Sequence, residues 1–115
     1  MQRLWIKLKK KPTRTELSSR LLKLLVEQAL DYGMMPILIT TPTHRYSATS
    51  EVVSDLVNYT RDVARTYGIP YLNYLNNENE WATSDSYWGD LNHMNARGSD
   101  RFSGVLAADV KKLKL

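Results

Sequence analysis

PILITTP, residues 36–42, is a continuously apolar, β-branched run closed at both ends by proline. Such a run is too short for a buried helix and has no polar residue on alternate positions. It therefore reads as a strand covered on both faces, the pattern of a parallel sheet. The flanks agree. Upstream, TRTE (13–16) is a capping box, in which the Thr13 hydroxyl takes an early amide hydrogen and Glu16 reaches back. The helix that it starts carries Leu17, Leu21, Leu24, Leu25, Gln28 and Ala29 at three- and four-residue spacings, the expected inward face, and stops at Gly33. Downstream, Ser47, Thr49 or Ser50 caps a second helix with Val52, Val53, Leu56, Val57, Val63, Ala64 and Tyr67 on one stripe, ended by Gly68. IPYLNYL (69–75) is the next strand.

Further out, RLWIKLKK (3–10) alternates Leu4, Ile6 and Leu8 against Trp5 and Lys7, which fits a short strand with one apolar face. At the other end, a polar stretch from Asn76 to Gly89 holds Trp81, Tyr87 and Trp88. So many large rings imply a loop folded back over the body. A last helix is expected from near Ala96 to about Leu113, with Phe102, Val105, Leu106, Val110 and Leu113 inward. Strand, helix, strand, helix, strand, long loop, helix is the order of an α/β protein, with right-handed crossovers and helices on both sheet faces. The division is residues 1–12 as a basic N-terminal strand or arm and 13–115 as a single α/β domain.

Composition narrows the classes. With 115 residues, 43% of them hydrophobic and 24% charged, the chain suits one globular core. The absence of cysteine excludes disulfides, thiolate metal sites and a Cys nucleophile. No apolar run approaches the roughly 20 residues that span a bilayer, so no membrane segment is expected. The net charge of +4 is concentrated at the ends: Arg3, Lys7, Lys9, Lys10 and Lys11 at one, Lys111, Lys112 and Lys114 at the other. The stretch between them is acidic. Nucleic-acid binding calls for a basic stripe across folded structure with aromatics between, so no nucleic-acid partner is expected.

In open α/β sheets, sites form beyond the carboxyl ends of the strands. Both histidines, His44 and His93, follow a strand in that way. Asp90 precedes His93 by three positions, a spacing that in a tight turn brings carboxylate to imidazole. The carboxylate then fixes the tautomer and leaves the other ring nitrogen as a general base. Asn95 is placed to cap the last helix.

The wider string, Trp88, Asp90, His93, Met94, Asn95 and Gly98, resembles the last block of the SGNH (GDSL-type) hydrolases. The likeness is greatest to bacterial cell-envelope members with a Phe-x-Asp-x-x-His-Leu-Asn-x-x-Gly-type ending, and it covers most of residues 13–110. The resemblance implies a three-layer α/β/α (flavodoxin-like) fold and ester or acyl chemistry on carbohydrate, lipid or small acyl substrates, without a cofactor or metal. It also implies a cell-envelope or secreted location. Asp90 and His93 would be the catalytic Asp and His of a Ser–His–Asp triad, Asp90 orienting and His93 acting as base. Asn95 and Gly98 would start the helix after the base, and Thr43, His44 and Trp88 would, by position, rim the substrate site. Met94 stands for the family's Leu and Ser99 for its Ala. The Gly-Asp-Ser block of the nucleophile and the Gly-x-Asn-Asp block of the oxyanion hole are absent, so the chain resembles the C-terminal portion of such a protein. Ser84 and Ser86 have no strand-to-helix elbow to expose a nucleophilic hydroxyl, and Ser47, at a helix start close to His44, has a better electrostatic position but no recognisable motif. Half a site, with little activity alone, is the expectation.

Two other readings are open. An incomplete sheet leaves a long unpaired edge, which favours a homodimer or pairing with a missing N-terminal segment. His44, His93, Asp85 and Asp90 offer metal-ligand chemistry but lack paired-ligand spacing.

Overall fold

A computed structural model of the chain describes residues 11–44, 51–75, 81, 84–90 and 92–115. Helix α1 spans Arg14–Asp31, strand β1 Leu38–Thr40, helix α2 Glu51–Tyr67, strand β2 Tyr71–Asn73 and helix α3 Ala96–Lys112, with a 3-10 turn at Asp85–Tyr87 before α3. The candidate strand at 3–10 and the capping candidates Ser47, Thr49 and Ser50 lie outside the described residues. About 62% of the described residues are helical, and a small parallel sheet makes the fold mixed α/β.

Local chemistry sets the helix limits. At the start of α1 the Thr13 hydroxyl accepts from the Glu16 amide and the Thr13 amide donates to the Glu16 carboxylate, both at 3.1 Å. At its end Gly33, with φ of 75°, turns the chain so that the Gly33 amide donates to the Leu30 carbonyl and the Met34 amide to that of Ala29. The same paired closure ends α2, where Gly68 has φ of 62° and the Ile69 amide donates to the Ala64 carbonyl. Ile69 is thereby returned to the core beside Ala64.

The two strands are parallel, with Leu38 opposite Tyr71, Ile39 opposite Leu72 and Thr40 opposite Asn73. Parallel neighbours need a long crossover, and α2 supplies it. The core is the seam where α1, α2 and the sheet meet: Val26, Val63, Ala64 and Ile69 are buried, with Leu22, Leu38, Tyr67 and Tyr71 packed around them. At one edge of this seam the Tyr67 hydroxyl donates to the Glu27 carboxylate, which raises the Tyr67 pKa chiefly through that bond. Helix α3 joins through the end of β2. The Tyr74 ring stands edge-on to Phe102 at 5.0 Å, and its hydroxyl donates to Asp109 at 2.6 Å. Burial, then the bond to Asp109, pushes the Tyr74 pKa up to about 12. The expected inward residues of α3 are half-buried.

Several expectations need correction. On α1 the buried position is Val26, roughly 140° around the helix from Leu21 at 3.6 residues per turn, while Leu17, Leu21, Leu24 and Leu25 are each more than half exposed. The leucine spacing was a second apolar stripe beside the one that packs on α2. Strand β1 is covered on one face only. Leu38 and Thr40 face the core side and Ile39 the open one. Val52, in the first turn of α2, is exposed because that turn overhangs the core. The second strand extends over three residues of the seven expected, so the unpaired edges are short.

Where α1, α2 and the end of β1 meet runs a groove of about 460 Å3, lined among others by Leu21, Leu25, Ile39, Thr43, Leu56 and Leu75. The Thr43 hydroxyl is buried there without a hydrogen-bond partner among the described residues. No described helix is long and apolar enough to cross a membrane.

Burial ranks the mutational costs. Val63→Ala is expected to destabilise the chain by roughly 2 kcal/mol, from lost transfer energy plus a cavity. Leu24→Ala, on the exposed stripe, should change stability by less than about 0.5 kcal/mol. Urea denaturation of both variants at low protein concentration checks the order. A cost for Leu24→Ala equal to that for Val63→Ala would mean that the stripe is covered in solution.

Candidate active site

The turn that carries Asp90 and His93 is built from its base upward. Trp88 and Met94 form an antiparallel bridge. On one side of it the Asn95 amide donates to the Tyr87 carbonyl at 2.9 Å, and on the other the Gly89 amide donates to the His93 carbonyl at 2.8 Å. Asn95 then serves two elements: its side-chain oxygen caps α3 by accepting from the Gly98 amide at 2.9 Å, while its side-chain amide donates to the Ser86 carbonyl at 2.8 Å. Gly98 is required for the approach. A Cβ at this position would lie 2.3 Å from the Tyr87 carbonyl oxygen, well inside contact distance. Asn95 and Gly98 therefore start the helix after His93, and they also lock it to the turn.

Within the turn, Asp90 Oδ1 accepts from the amides of Asn92 and His93, both at 2.8 Å, which closes the loop on its own side chain. The same carboxylate meets His93 Nδ1 at 2.9 Å through Oδ1 and 3.0 Å through Oδ2. An ionised carboxylate only accepts, so Nδ1 carries the hydrogen and Nε2 of the neutral ring keeps its lone pair. The bond from the Asn92 amide, then that from His93, lowers the Asp90 pKa below its ordinary 3.8. Both side chains face solvent, His93 at 78% and Asp90 at 61%.

His44 differs in every respect. It is 4% exposed, bonds Asp85 Oδ1 through Nε2 at 2.8 Å and stands edge-on to Trp88, with ring centroids 5.8 Å apart. His44, expected from its position to rim a substrate site, has an interior ring with one nitrogen engaged. Trp88 is half-buried, with its indole nitrogen donating to the Trp81 carbonyl at 2.5 Å. Thr43 belongs to the groove beside β1. The His44–Asp85 pair was missed from the sequence because 41 positions separate its members and neither belongs to the Asp-x-x-His string. Buried Trp81, which packs on Tyr87 and Phe102, was legible only as a ring in a loop.

Ser84 and Ser86 bond each other at 2.8 Å, and among the described residues no serine hydroxyl is bonded to His93. The four residues with metal-ligand chemistry separate into two His–Asp couples, and no group of three or more potential ligands occurs among the described residues. The chain matches no protein-family model, no curated protein and no solved structure.

The lowered Asp90 pKa fixes the sign of a pH effect. A carboxyl whose folded pKa lies below its unfolded value adds stability above the unfolded pKa, and that contribution disappears as pH falls through the folded pKa. Asp90→Asn is therefore expected to be less stable than the parent above about pH 5. The gap should close as acid protonates Asp90, below 3.8. Thermal melts of both proteins across that range test this, and a gap that widened in acid would contradict it.

Proposed function

We propose that the chain is the Asp–His-bearing portion of an SGNH-type ester or acyl hydrolase, on a three-layer α/β/α, flavodoxin-like plan. The observation that carries this reading is the Asp90 carboxylate on His93 Nδ1 with Nε2 left basic and facing outward. In this chemistry a serine hydroxyl attacks the ester carbonyl while His93 Nε2 takes its proton. The imidazolium, stabilised by Asp90, then returns that proton to the leaving alkoxide. The serine and the oxyanion donors come from a segment that seats against the open side of the sheet. Exposed Ile39 of β1, the leucine stripe of α1 and the apolar groove that these share with α2 support such a seat, because added strands and helices of a three-layer sandwich would cover them. The substrate class is an ester of a carbohydrate, a lipid or a small acyl group.

The test is a chimaera in which the nucleophile- and oxyanion-bearing segment of a cell-envelope SGNH hydrolase precedes residue 13. It should hydrolyse p-nitrophenyl acetate, with turnover reduced on the order of 10³-fold or more by His93→Ala or Asp90→Asn. The chain by itself should take no adduct from a fluorophosphonate probe in intact-mass measurements. A folded chimaera whose activity ignores His93 would refute the assignment. An adduct on the chain alone, abolished by His93→Ala, would place a working serine within these residues.

The exposed leucine stripe favours a second reading, a non-catalytic module that dimerises through this face. On that reading light scattering gives a dimer that Leu21→Glu together with Leu25→Glu returns to monomer. A parent that stays monomeric over a wide concentration range excludes it.

A further inference from the structure

We propose that His44 is a positioning residue, bonded to Asp85 under Trp88 so that it ties the acid–base turn to the carboxyl end of β1. The proposal rests on the reading of Asp90 and His93 as a working pair.

Sequestering an imidazole costs free energy unless its nitrogens find partners, and an apolar ring of the same bulk would fill the space without that cost. His44 is nevertheless almost wholly buried, and its Nε2 is aimed at the carboxylate of Asp85, whose side chain is 68% exposed. What the polar ring adds over an apolar one is direction. Asp85 opens the 3-10 turn, and its carbonyl accepts from the Trp88 amide at 3.2 Å. Trp88 also packs its ring against His44 and pairs with Met94 to close the loop holding Asp90 and His93. His44 thus grips both ends of the segment 85–88, one through a hydrogen bond and the other through ring packing. The acid–base turn has a second anchor in α3, through Asn95 and Gly98. The helix anchor fixes the turn's trailing strand, and the His44 anchor fixes its leading strand against the sheet. The amides of Asn92 and His93 hold the Asp90 carboxylate, but with both side chains facing solvent little packing holds the His93 ring on it. The alignment depends on the two anchors being held in register.

The readout is the tautomer of His93 by ring-nitrogen NMR on the full chain, in buffer alkaline enough to keep a histidine ring neutral. In the parent, Nδ1–H is expected as the dominant form. His44→Phe keeps the bulk and loses the bond, and Asp85→Ala removes the acceptor by truncating a side chain that is itself largely exposed. In both, Nδ1–H should fall to a minor form while circular dichroism remains that of the parent. His44→Gln, whose amide can still donate to Asp85, should restore it. A role confined to stability would leave the tautomer of the folded variants unchanged, and Nδ1–H persisting in folded Asp85→Ala overturns the proposal even if His44→Phe fails to fold. A parent dominated by Nε2–H would overturn the acid–base pair itself, and the tether with it. Loss of hydrolytic activity in the chimaera with the tautomer effects intact would leave the tether standing and remove only the hydrolase reading.

Discussion

Two parallel strands of three residues each cannot hold together by their ladder alone, since they share very few backbone hydrogen bonds. Their pairing depends on the helix between them. Helix α2 returns the chain to the start of β2 and lays Val63 and Ala64 into the seam, while the closure at Gly68 folds Ile69 back to the same place. Val26 of α1 completes the contact. Hydrophobic burial along this seam aligns the strands in register, and the register in turn puts the chain leaving β1 and the chain leaving β2 at the same end of the sheet. His44 lies on the first, and the second leads on to the aromatic loop and the Asp90 turn.

From that end, order passes outward by side-chain contacts with little regular structure. Tyr74 grips α3, Trp81 packs between Tyr87 and Phe102, and Trp88 bonds back to Trp81. The rings carry the burial that strands would supply elsewhere, and the polar tips of Tyr74 and Trp88 each find an acceptor. His93 therefore sits on a loop, yet the loop is bounded by a helix cap on one side and a buried His–Asp bond on the other.

Much of this was legible in the sequence where the signal is local. The Thr13–Glu16 box, the two glycine closures, the Asn95 cap and the approach of Asp90 to His93 span at most a few residues, and local backbone chemistry favours each of them. The apolar faces were harder. On α1 the leucines and Val26 occupy two stripes, and periodicity ranks both alike. Which one is buried depends on where α2 lies, and that is a tertiary fact. The same reason hid Asp85 as the partner of His44, because the bond exists only once the loop folds over the end of β1. PILITTP was read as covered on both faces from composition, which reports the environment a strand suits, and Ile39 is open all the same.

That last discrepancy joins the fold to the chemistry. A Ser–His–Asp site works by excluding water around a charge that develops during reaction, and preformed donors replace the water it displaces. The Asp90–His93 couple has the internal geometry that the proposed chemistry needs, while both groups face solvent. Ile39 and the α1 leucines show the same excess of exposure on the sheet and helix surfaces. On the proposed function one cause would account for both, a further segment that covers the apolar groove and the turn together. Burial that stabilises the fold and burial that empowers the base would then be the same event.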